Sequence, residues 1–337
     1  MPIDFFAEQN LLNSPEFGDV LEQHPDLKWI EDYQKFRKDT MHREKQCVIF
    51  ARKRGAWLKP FHCYHQNHES RYFSLDLAEG CRFDCVYCYL QSYLNNGALV
   101  IFVNRDGLEE ELQSLASEPA WISTGILTDS LLAQEQYPMI AWLSHRLPGQ
   151  ATLELRTKSA NVGVLNDPQI SRQKLVVAWS LSPEDVVTGY EYGTSTLMQR
   201  MDAAKYACQL GYRIAFHFDP VFHFEGWKEA YGKLFSDLEE FKSEKIAFLS
   251  IGLFRYMPDL GSIIRKRFPY HEILTEEFFP AQDGKYHYLR SIRKEMYVQF
   301  QEWLRPWNIP ILWSMEPEDR LIENYRSFSS ALLPSDF

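Results

Sequence analysis

Three cysteines, Cys81, Cys85 and Cys88, stand in a Cys-x3-Cys-x2-Cys spacing within the stretch LAEGCRFDCVYCYLQ, residues 77–91. An alternating apolar run at 72–77 precedes them and reads as a strand. Three thiolates on one tight loop hold three irons of a [4Fe–4S] cube, and a fully protein-ligated cube takes four cysteines. The fourth iron is therefore left open to a substrate or cofactor. A structural zinc site wants four ligands at paired short spacings, and no second Cys-x2-Cys or His-x3-His follows. Disulfides are disfavoured, because cysteines this close do not pair among themselves without strain.

An open iron at low potential suits the reductive cleavage of S-adenosylmethionine. Its amino and carboxylate groups chelate the iron, an electron breaks the sulfonium bond, and a 5′-deoxyadenosyl radical leaves. The cofactors carry the hard chemistry and the protein the orientation. The spacing, the flanking aromatics and the place after a first strand predict a radical-SAM enzyme.

At 337 residues the chain suffices for one large α/β domain or two ordinary ones. Apolar residues make up 45% and aromatics 15%, enough for a sizeable core. No stretch approaches the roughly 20 consecutive apolar residues of a membrane span. The start, MPIDFFAEQN, lacks the basic and apolar regions of a signal peptide. Six cysteines, three of them clustered, suit a reducing compartment, and the expected location is the cytoplasm. A net charge of −10 is a poor electrostatic footprint for gripping duplex DNA, although a local basic groove is compatible with it.

Along the chain, residues 1–47 are polar and charged and read as an N-terminal extension with a helix around Asp26–Arg37. The basic run Arg52, Lys53, Arg54 and Lys59 reads as a solvated turn. His62, Cys63, His65 and His68 lack a zinc-finger spacing and read as a loop rather than a metal site. Strands follow at Leu99–Val103, Trp121–Leu127, Thr152–Thr157, Leu175–Leu181, Arg213–Val221, Ile246–Phe254 and Ile309–Met315. Helices are expected at Gly107–Ala116, Tyr137–Arg146, around Val162–Leu165, and at Thr196–Leu210, Trp227–Phe241, Gly261–Phe268 and Arg293–Leu304. Gly211 closes the helix before it. Cys208, one turn earlier, reads as a buried core thiol.

This β-α alternation predicts an α/β fold with a parallel sheet, a partial (β/α)6 radical-SAM barrel over 48–315, followed by a C-terminal tail over 316–337. Chemistry in such barrels collects at the C-terminal ends of the strands. Those ends carry the cysteine loop, Ser123–Asp129, Arg156–Lys158, Ser180–Ser182 and His217–Asp219.

The run from Cys81 to Gln91 resembles the cluster loop of spore photoproduct lyases, radical-SAM DNA repair enzymes. The resemblance continues through Arg156-Thr-Lys158, Ala178-Trp-Ser-Leu-Ser182, Gly193-Thr-Ser195 with Gln199–Ala204, and Asp219-Pro220 with Glu225-Gly-Trp227 and Tyr231, in order and at similar spacing. It implies a [4Fe–4S] cluster on Cys81, Cys85 and Cys88, and S-adenosylmethionine. Lys158 and Ser180 look like the family's cofactor-contacting lysine and serine, and Thr128 and Asp129 fall where it has Ser-Asp. Tyr87 and Tyr89 match tyrosines that the family uses in returning the radical; packing around the cube explains them equally well.

The family places a cysteine just before its Ser-Asp, as hydrogen-atom donor to the thymine radical. Here Ile126 or Leu127 takes that place, and no cysteine occurs between Cys88 and Cys208. In place of the family's Gly-Arg-Tyr-Gly substrate segment, the chain offers Asp283-Gly-Lys285-Tyr286. Lys285, Tyr286 and Arg293 are the candidate substrate contacts, a basic, aromatic groove for a flipped-out nucleotide. The reading that results is a radical-SAM enzyme acting on a thymine lesion or another nucleobase, with an electron donor such as flavodoxin or ferredoxin. Two alternatives stand beside it: a radical-SAM enzyme for a small molecule or peptide, and a DNA-binding module whose cluster is structural.

Overall fold

A computed structural model of the chain describes residues 3–61, 71–241 and 246–314. The histidine-rich run with His62, Cys63, His65 and His68, and the tail at 316–337, lie outside the described residues. The described chain divides into two compact units, one built from 3–61, 72–84 and 90–175, the other from 71, 85–89, 176–241 and 246–314.

In the first unit, strands Asp4–Glu8, Lys28–Ile30, Cys47–Ala51 and Leu99–Phe102 run parallel, with Asp4–Glu8 between Lys28–Ile30 and Cys47–Ala51. The expected helix around Asp26–Arg37 is absent. Lys28–Ile30 is a strand in register with Phe6–Glu8, and a single 3-10 turn follows at Tyr33–Lys35. Pairing with Phe6–Glu8 holds 28–30 extended, and the Asp32 carboxylate caps the turn that follows by accepting the Gln34 N–H at 3.0 Å.

The basic run at 52–59 is not a solvated turn either. Arg54 Nη2 lies 2.8 Å from Glu8 Oε1 and Lys59 Nζ 2.7 Å from Asp76 Oδ2, while Arg52 pairs with Asp106. Glu8 and Asp76 are buried, and a buried carboxylate without a partner is costly, so cations are drawn to it.

The same unit carries a second set of strands. Tyr72–Leu75 is parallel to Trp121–Ser123, which is parallel to Thr152–Thr157, and Leu58–Pro60 adds antiparallel to Tyr72–Leu75. Trp121–Ser123 stops short of the expected Leu127, its last ladder bond running from Thr124 N–H to Glu154 O at 3.1 Å. Gly125 then passes so close to Arg156 that a Cβ on it would sit 2.4 Å from the arginine Cβ. Helix Leu108–Gln113 lies within the expected 107–116 but ends earlier, Ile140–Ser144 is likewise shorter than expected, and Ser130–Gln136 was not foreseen.

The second unit is built on four parallel strands, Leu175–Ser180, Arg213–Val221, Ile246–Leu253 and Ile311–Trp313. Strands covered on both faces read as continuous apolar runs, and Ile246–Leu253 is buried along its whole length. Trp179, Phe216 and Phe248 have no exposed surface; burying each such side chain is worth roughly 1.5–3 kcal/mol. Register sets Ser180 beside His217 and His217 beside Ser250 near the strand ends.

Helix Leu197–Gln209 opens with a capping box between Thr196 and Gln199, and Gly211 follows it at φ 92°. Helices Trp227–Asp237, Pro258–Arg267 and Arg290–Leu304 lie where periodicity put them, and Glu184–Tyr190 is an addition. Cys208 is half-buried rather than a core thiol. The buried stripe of its helix runs through Arg200, Met201, Ala203, Ala204 and Ala207, which leaves Cys208 at the stripe's edge. An antiparallel sheet of Arg255–Tyr256, Tyr286–Tyr288 and Phe278–Pro280 was likewise not foreseen. No helix among the described residues is long and apolar enough to cross a membrane.

Candidate functional site

The residues singled out by sequence fall in both units. Cys81, Thr128, Asp129 and Lys158 belong to the first; Cys85, Tyr87, Cys88, Tyr89, Ser180, Lys285, Tyr286 and Arg293 belong to the second.

In the first unit, strand Ala78–Glu79 pairs antiparallel with Leu99–Phe102 and delivers the chain to Cys81 through Gly80. Gly80 sits at φ 79°, and a Cβ there would lie 1.9 Å from Ala98 O, so only glycine fits. Lys45 then pins the loop. Its ammonium donates to Cys81 O at 3.0 Å and to Phe83 O at 2.6 Å, and lies 3.8 Å from Asp84 Oδ1. Sequence reasoning missed Lys45, since one lysine in a charged segment carries no signal of its own.

Asp129 ties together the other strand ends of this unit. As N-cap of helix Ser130–Gln136 it accepts the N–H groups of Leu131 and Leu132 on Oδ1, both at 3.1 Å. The same oxygen accepts the Thr157 hydroxyl at 2.8 Å, and Oδ2 accepts the Lys158 N–H at 2.7 Å. Burial raises the Asp129 carboxyl above its ordinary range, and the Lys158 and Thr157 bonds oppose this. All four partners donate, the pattern an ionised carboxylate satisfies. Beside it, Glu135 is raised by burial and then by the Asp129 charge.

Thr128 is buried, and its Oγ1 has no hydrogen-bond partner among the described residues. A buried hydroxyl left without a partner invites a bound ligand's polar group.

In the second unit the cluster loop is anchored by Val86 N–H to Tyr190 O at 2.8 Å and Cys88 N–H to Cys85 O at 3.2 Å. Cys85 is buried and Cys88 and Cys81 half-buried, none of them in a disulfide. Tyr87 is buried and donates its hydroxyl to Glu191 Oε1. Burial first, and then the Glu191 charge, pushes the Tyr87 hydroxyl well above the usual phenol range. Tyr89, two residues on, stays 46% exposed.

Glu191 is answered by Arg200, whose Nη2 lies 2.6 Å from Oε2, and neither side chain has exposed surface. Arg200 also donates through Nη1 to Ser180 O at 2.9 Å and through Nε to Ser195 O at 2.9 Å. Tyr87, Glu191, Arg200 and Ser180 are thus one buried chain of bonds from the cysteine loop to a strand end. Sequence reasoning placed Arg200 inside a resembling segment without giving it or Glu191 a role.

The candidate substrate contacts lie on and under the antiparallel sheet. The Tyr286 ring stacks on Tyr256 at 5.2 Å, and Lys285 Nζ is 3.9 Å from Asp283 Oδ2. Arg293 is buried, donates Nε to Tyr288 O at 3.1 Å, and holds its guanidinium 5.5 Å from the Phe279 ring. That geometry makes it a support for the sheet.

Among the described residues no three His, Cys, Asp or Glu side chains form a group suited to a single metal ion. The three cysteine sulfurs, outside any disulfide, are the soft donors an iron–sulfur cluster takes. The orphaned Thr128 hydroxyl, next to the fixed Asp129–Lys158 junction, suits a polar cofactor. On these observations the residues present fit both groups.

A family model of spore photoproduct lyase matches residues 58–305. Two curated relatives are spore photoproduct lyases. The one from Geobacillus sp. (strain Y412MC61) is 25% identical over 227 residues, 64% of this chain and 65% of that protein. The one from Bacillus subtilis (strain 168) is 26% identical over 256 residues, 71% of this chain and 72% of that protein. The first alignment thus spans a little under two thirds of the relative's length.

Among solved structures, spore photoproduct lyase complexed with dinucleoside spore photoproduct matches with a TM-score of 0.80 at 19% identity, over 93% of this chain and 99% of that one. A mutant with bound AdoMet and dinucleoside spore photoproduct matches at 0.79 and 19% identity, over 92% and 98%. This likeness shows the fold, the partial (β/α)6 barrel expected from the sequence.

Proposed function

The chain belongs to the spore photoproduct lyase family of the radical SAM superfamily, and from that premise we propose that it is a radical SAM enzyme acting on a thymine lesion in DNA. The observation that carries the reading is the reach of the family match. It spans residues 58–305 and so includes Cys81, Cys85 and Cys88 at their spacing, together with Thr128, Asp129, Lys158 and Ser180. The relatives solved with AdoMet and with dinucleoside spore photoproduct support S-adenosylmethionine as cofactor and the lesion as substrate.

In this reading Cys81, Cys85 and Cys88 hold the [4Fe–4S] cluster, and Thr128 and Lys158 line the cofactor's place. When bound, the cluster and S-adenosylmethionine supply one low-potential electron and a 5′-deoxyadenosyl radical. Everything else is the work of the chain. Lys45 holds the Cys81 and Phe83 carbonyls and so the loop's shape. Asp129 fixes the Lys158 backbone, and with it the direction in which the lysine side chain leaves the strand end. Arg200 fixes the Ser180 carbonyl while Glu191 holds the Tyr87 hydroxyl proton.

Of the two tyrosines beside the cysteines, Tyr89 keeps surface and Tyr87 does not. Tyr89 is therefore the better placed to pass a hydrogen atom, a role left open by the aliphatic Ile126 and Leu127 where the family has cysteine. A cytoplasmic location and a flavodoxin or ferredoxin as electron source accord with thiols that must stay reduced.

The test is anaerobic. The cluster is reconstituted, dithionite and S-adenosylmethionine are added, and 5′-deoxyadenosine and repaired thymidylyl-thymidine are measured with and without the spore photoproduct dinucleotide. Both products are expected. Without any 5′-deoxyadenosine at full iron content, the radical reading fails and a DNA-binding module with a structural cluster takes its place. If 5′-deoxyadenosine forms and the dinucleotide is untouched, the substrate is a different one.

A further inference from the structure

The second unit carries a strip of cations and aromatic rings that the reading above does not use. Helix Pro258–Arg267 buries Leu260, Gly261 and Ile264 and ends in Arg265, Lys266 and Arg267. Arg265 and Lys266 are exposed, and among the described residues neither makes an ion pair. The Arg267 guanidinium lies 4.8 Å from the Phe268 ring centre, and Phe268 lies 6.0 Å from the ring of Tyr192. Tyr192 is 42% exposed, and Tyr270, just past the helix, is fully exposed.

Cations in a last helical turn favour the helix dipole by about 0.3–1 kcal/mol, which accounts for one or two of the three. It does not account for the rings between them. An exposed tyrosine costs solubility, and cations interleaved with open ring faces are the arrangement that binds a single nucleic-acid strand: charges track phosphates and bases stack on rings. The chain as a whole carries −10, so the cations at 265–267 stand against the general charge.

The strip also joins both parts of the second unit already described. Tyr192 is two residues past Tyr190, whose carbonyl accepts Val86 N–H of the cysteine loop. At the other end Arg265 bonds the Tyr256 hydroxyl, and the Tyr256 ring stacks on Tyr286 beside Lys285.

We propose that Tyr192, Arg265, Lys266, Arg267, Phe268 and Tyr270 form the track for the DNA strand flanking the lesion. Arg265 and Lys266 take its phosphates, and Tyr192 and Tyr270 take its bases. This rests on the reading that the substrate is a lesion in DNA, and it adds that the enzyme holds a strand longer than the lesion itself.

The test uses the full reconstituted chain and two ligands: the spore photoproduct dinucleotide, which has no flanks, and a single-stranded lesion-bearing oligonucleotide. Arg265→Gln/Lys266→Gln is compared with the parent by fluorescence anisotropy over a salt series. Each phosphate contact on a single strand contributes about −0.7 to the slope of log K against log salt. Loss of two contacts should therefore flatten the slope by roughly 1.4, with weaker oligonucleotide binding at low salt. Turnover of the dinucleotide should not change. Tyr270→Ala should weaken the oligonucleotide with no change in slope.

An unchanged slope and affinity in the double variant, or no oligonucleotide binding by the parent, overturns the track. Failure of the parent to process the dinucleotide overturns the lesion reading instead, while the anisotropy still decides the track.

Discussion

Asp129 and Lys158 lie 29 positions apart, yet the carboxylate Oδ2 of one accepts the backbone N–H of the other at 2.7 Å. The bond fixes where strand Thr152–Thr157 ends, and with it the direction in which Lys158 leaves the backbone. Because Oδ1 at the same time caps helix Ser130–Gln136 and takes the Thr157 hydroxyl, a single side chain joins two elements, the start of that helix and the end of that strand.

Asp129→Asn is expected to destabilise the chain by about 1–3 kcal/mol, the usual cost of leaving a buried donor unanswered. The amide nitrogen would face either the Lys158 N–H or the helix start, and donors do not satisfy donors. Denaturant unfolding reads the loss, and equilibrium binding of S-adenosylmethionine to the reconstituted variant should weaken with it. Unaltered stability would mean that Asp129 is not the joint described here.

The sequence revealed those elements whose reasons are periodic. Arg213–Val221 and Thr152–Thr157 keep their expected limits, since runs of apolar and β-branched residues bounded by polar ends leave few alternatives. The cysteine spacing was legible for the same reason, a local pattern with few competing meanings. Lys28–Ile30 was not, because three residues carry no period and only pairing with Asp4–Glu8 makes them a strand. Lys45, Glu191 and Arg200 were invisible as partners, since Lys45 meets Cys81 across 36 positions and Glu191 meets Tyr87 across 104. Polar residues that become buried only by tertiary contact look like surface until the contact is seen.

Glu191 and Arg200 form such a pair, buried without exposed side-chain surface. Removing one charge and leaving the other costs about 3–5 kcal/mol, whereas replacing both by apolar residues is often neutral or better. Arg200→Met is therefore expected to unfold at markedly lower denaturant than the parent. Glu191→Leu/Arg200→Met should recover most of the loss and still lack the bond to Ser180 O. Full stability in the single variant would show that the pair is not buried as described.

Gly80→Ala tests the approach to Cys81. A non-glycine residue in the left-handed region costs roughly 1–2 kcal/mol, and here the new methyl would also collide with Ala98 O. The strand Ala78–Glu79 must shift, and the cysteine that follows shifts with it. Iron bound per chain after anaerobic reconstitution should fall, as it should in Cys85→Ala, while Gly55→Ala, at a similar φ of 78° but with open space around it, isolates the backbone strain from the collision and should retain its iron. Equal iron in all three variants and the parent would separate the loop from the cluster.

His287 gives the second unit a pH dependence. It is 3% exposed. Burial holds its pKa below the ordinary 6.5, and the Asp283 bond and charge only partly offset this while Arg255 and Arg293 add to it. The unfolded chain then takes up this proton at higher pH than the folded one. The stabilisation is complete above pH 6.5 and is lost as pH falls through the lower folded value. Asp283 behaves alike further down: burial opposes ionisation, but Lys285 N–H and His287 outweigh it, so its contribution is lost only below the ordinary 3.8. Unfolding free energy should fall on acidification from pH 6.5, and His287→Gln should remove that slope. Parallel curves for parent and variant would rule the histidine out.

The last prediction concerns the aliphatic residues before Thr128. In the family this place holds the cysteine that gives a hydrogen atom to the thymine radical; here Leu127 is buried and Ile126 half-buried. An aliphatic C–H is too strong a bond to take the place of an S–H, so under the proposed function the reaction ends on another donor, with Tyr89 the accessible one. Introducing a thiol should open a second route. With the dinucleotide as substrate, Ile126→Cys or Leu127→Cys should raise the repaired thymidylyl-thymidine formed per 5′-deoxyadenosine. The isotopic signature is sharper than the yield. A thiol proton exchanges with solvent, so in D2O the product of the productive variant should carry deuterium that depends on the new cysteine. Phenolic hydrogens exchange as well, so Tyr89→Phe in the parent should abolish label while the same change beside the new cysteine should not. Label that follows Tyr89 alone in every background would mean that neither position faces the substrate radical, and that the reaction in this chain ends on the tyrosine.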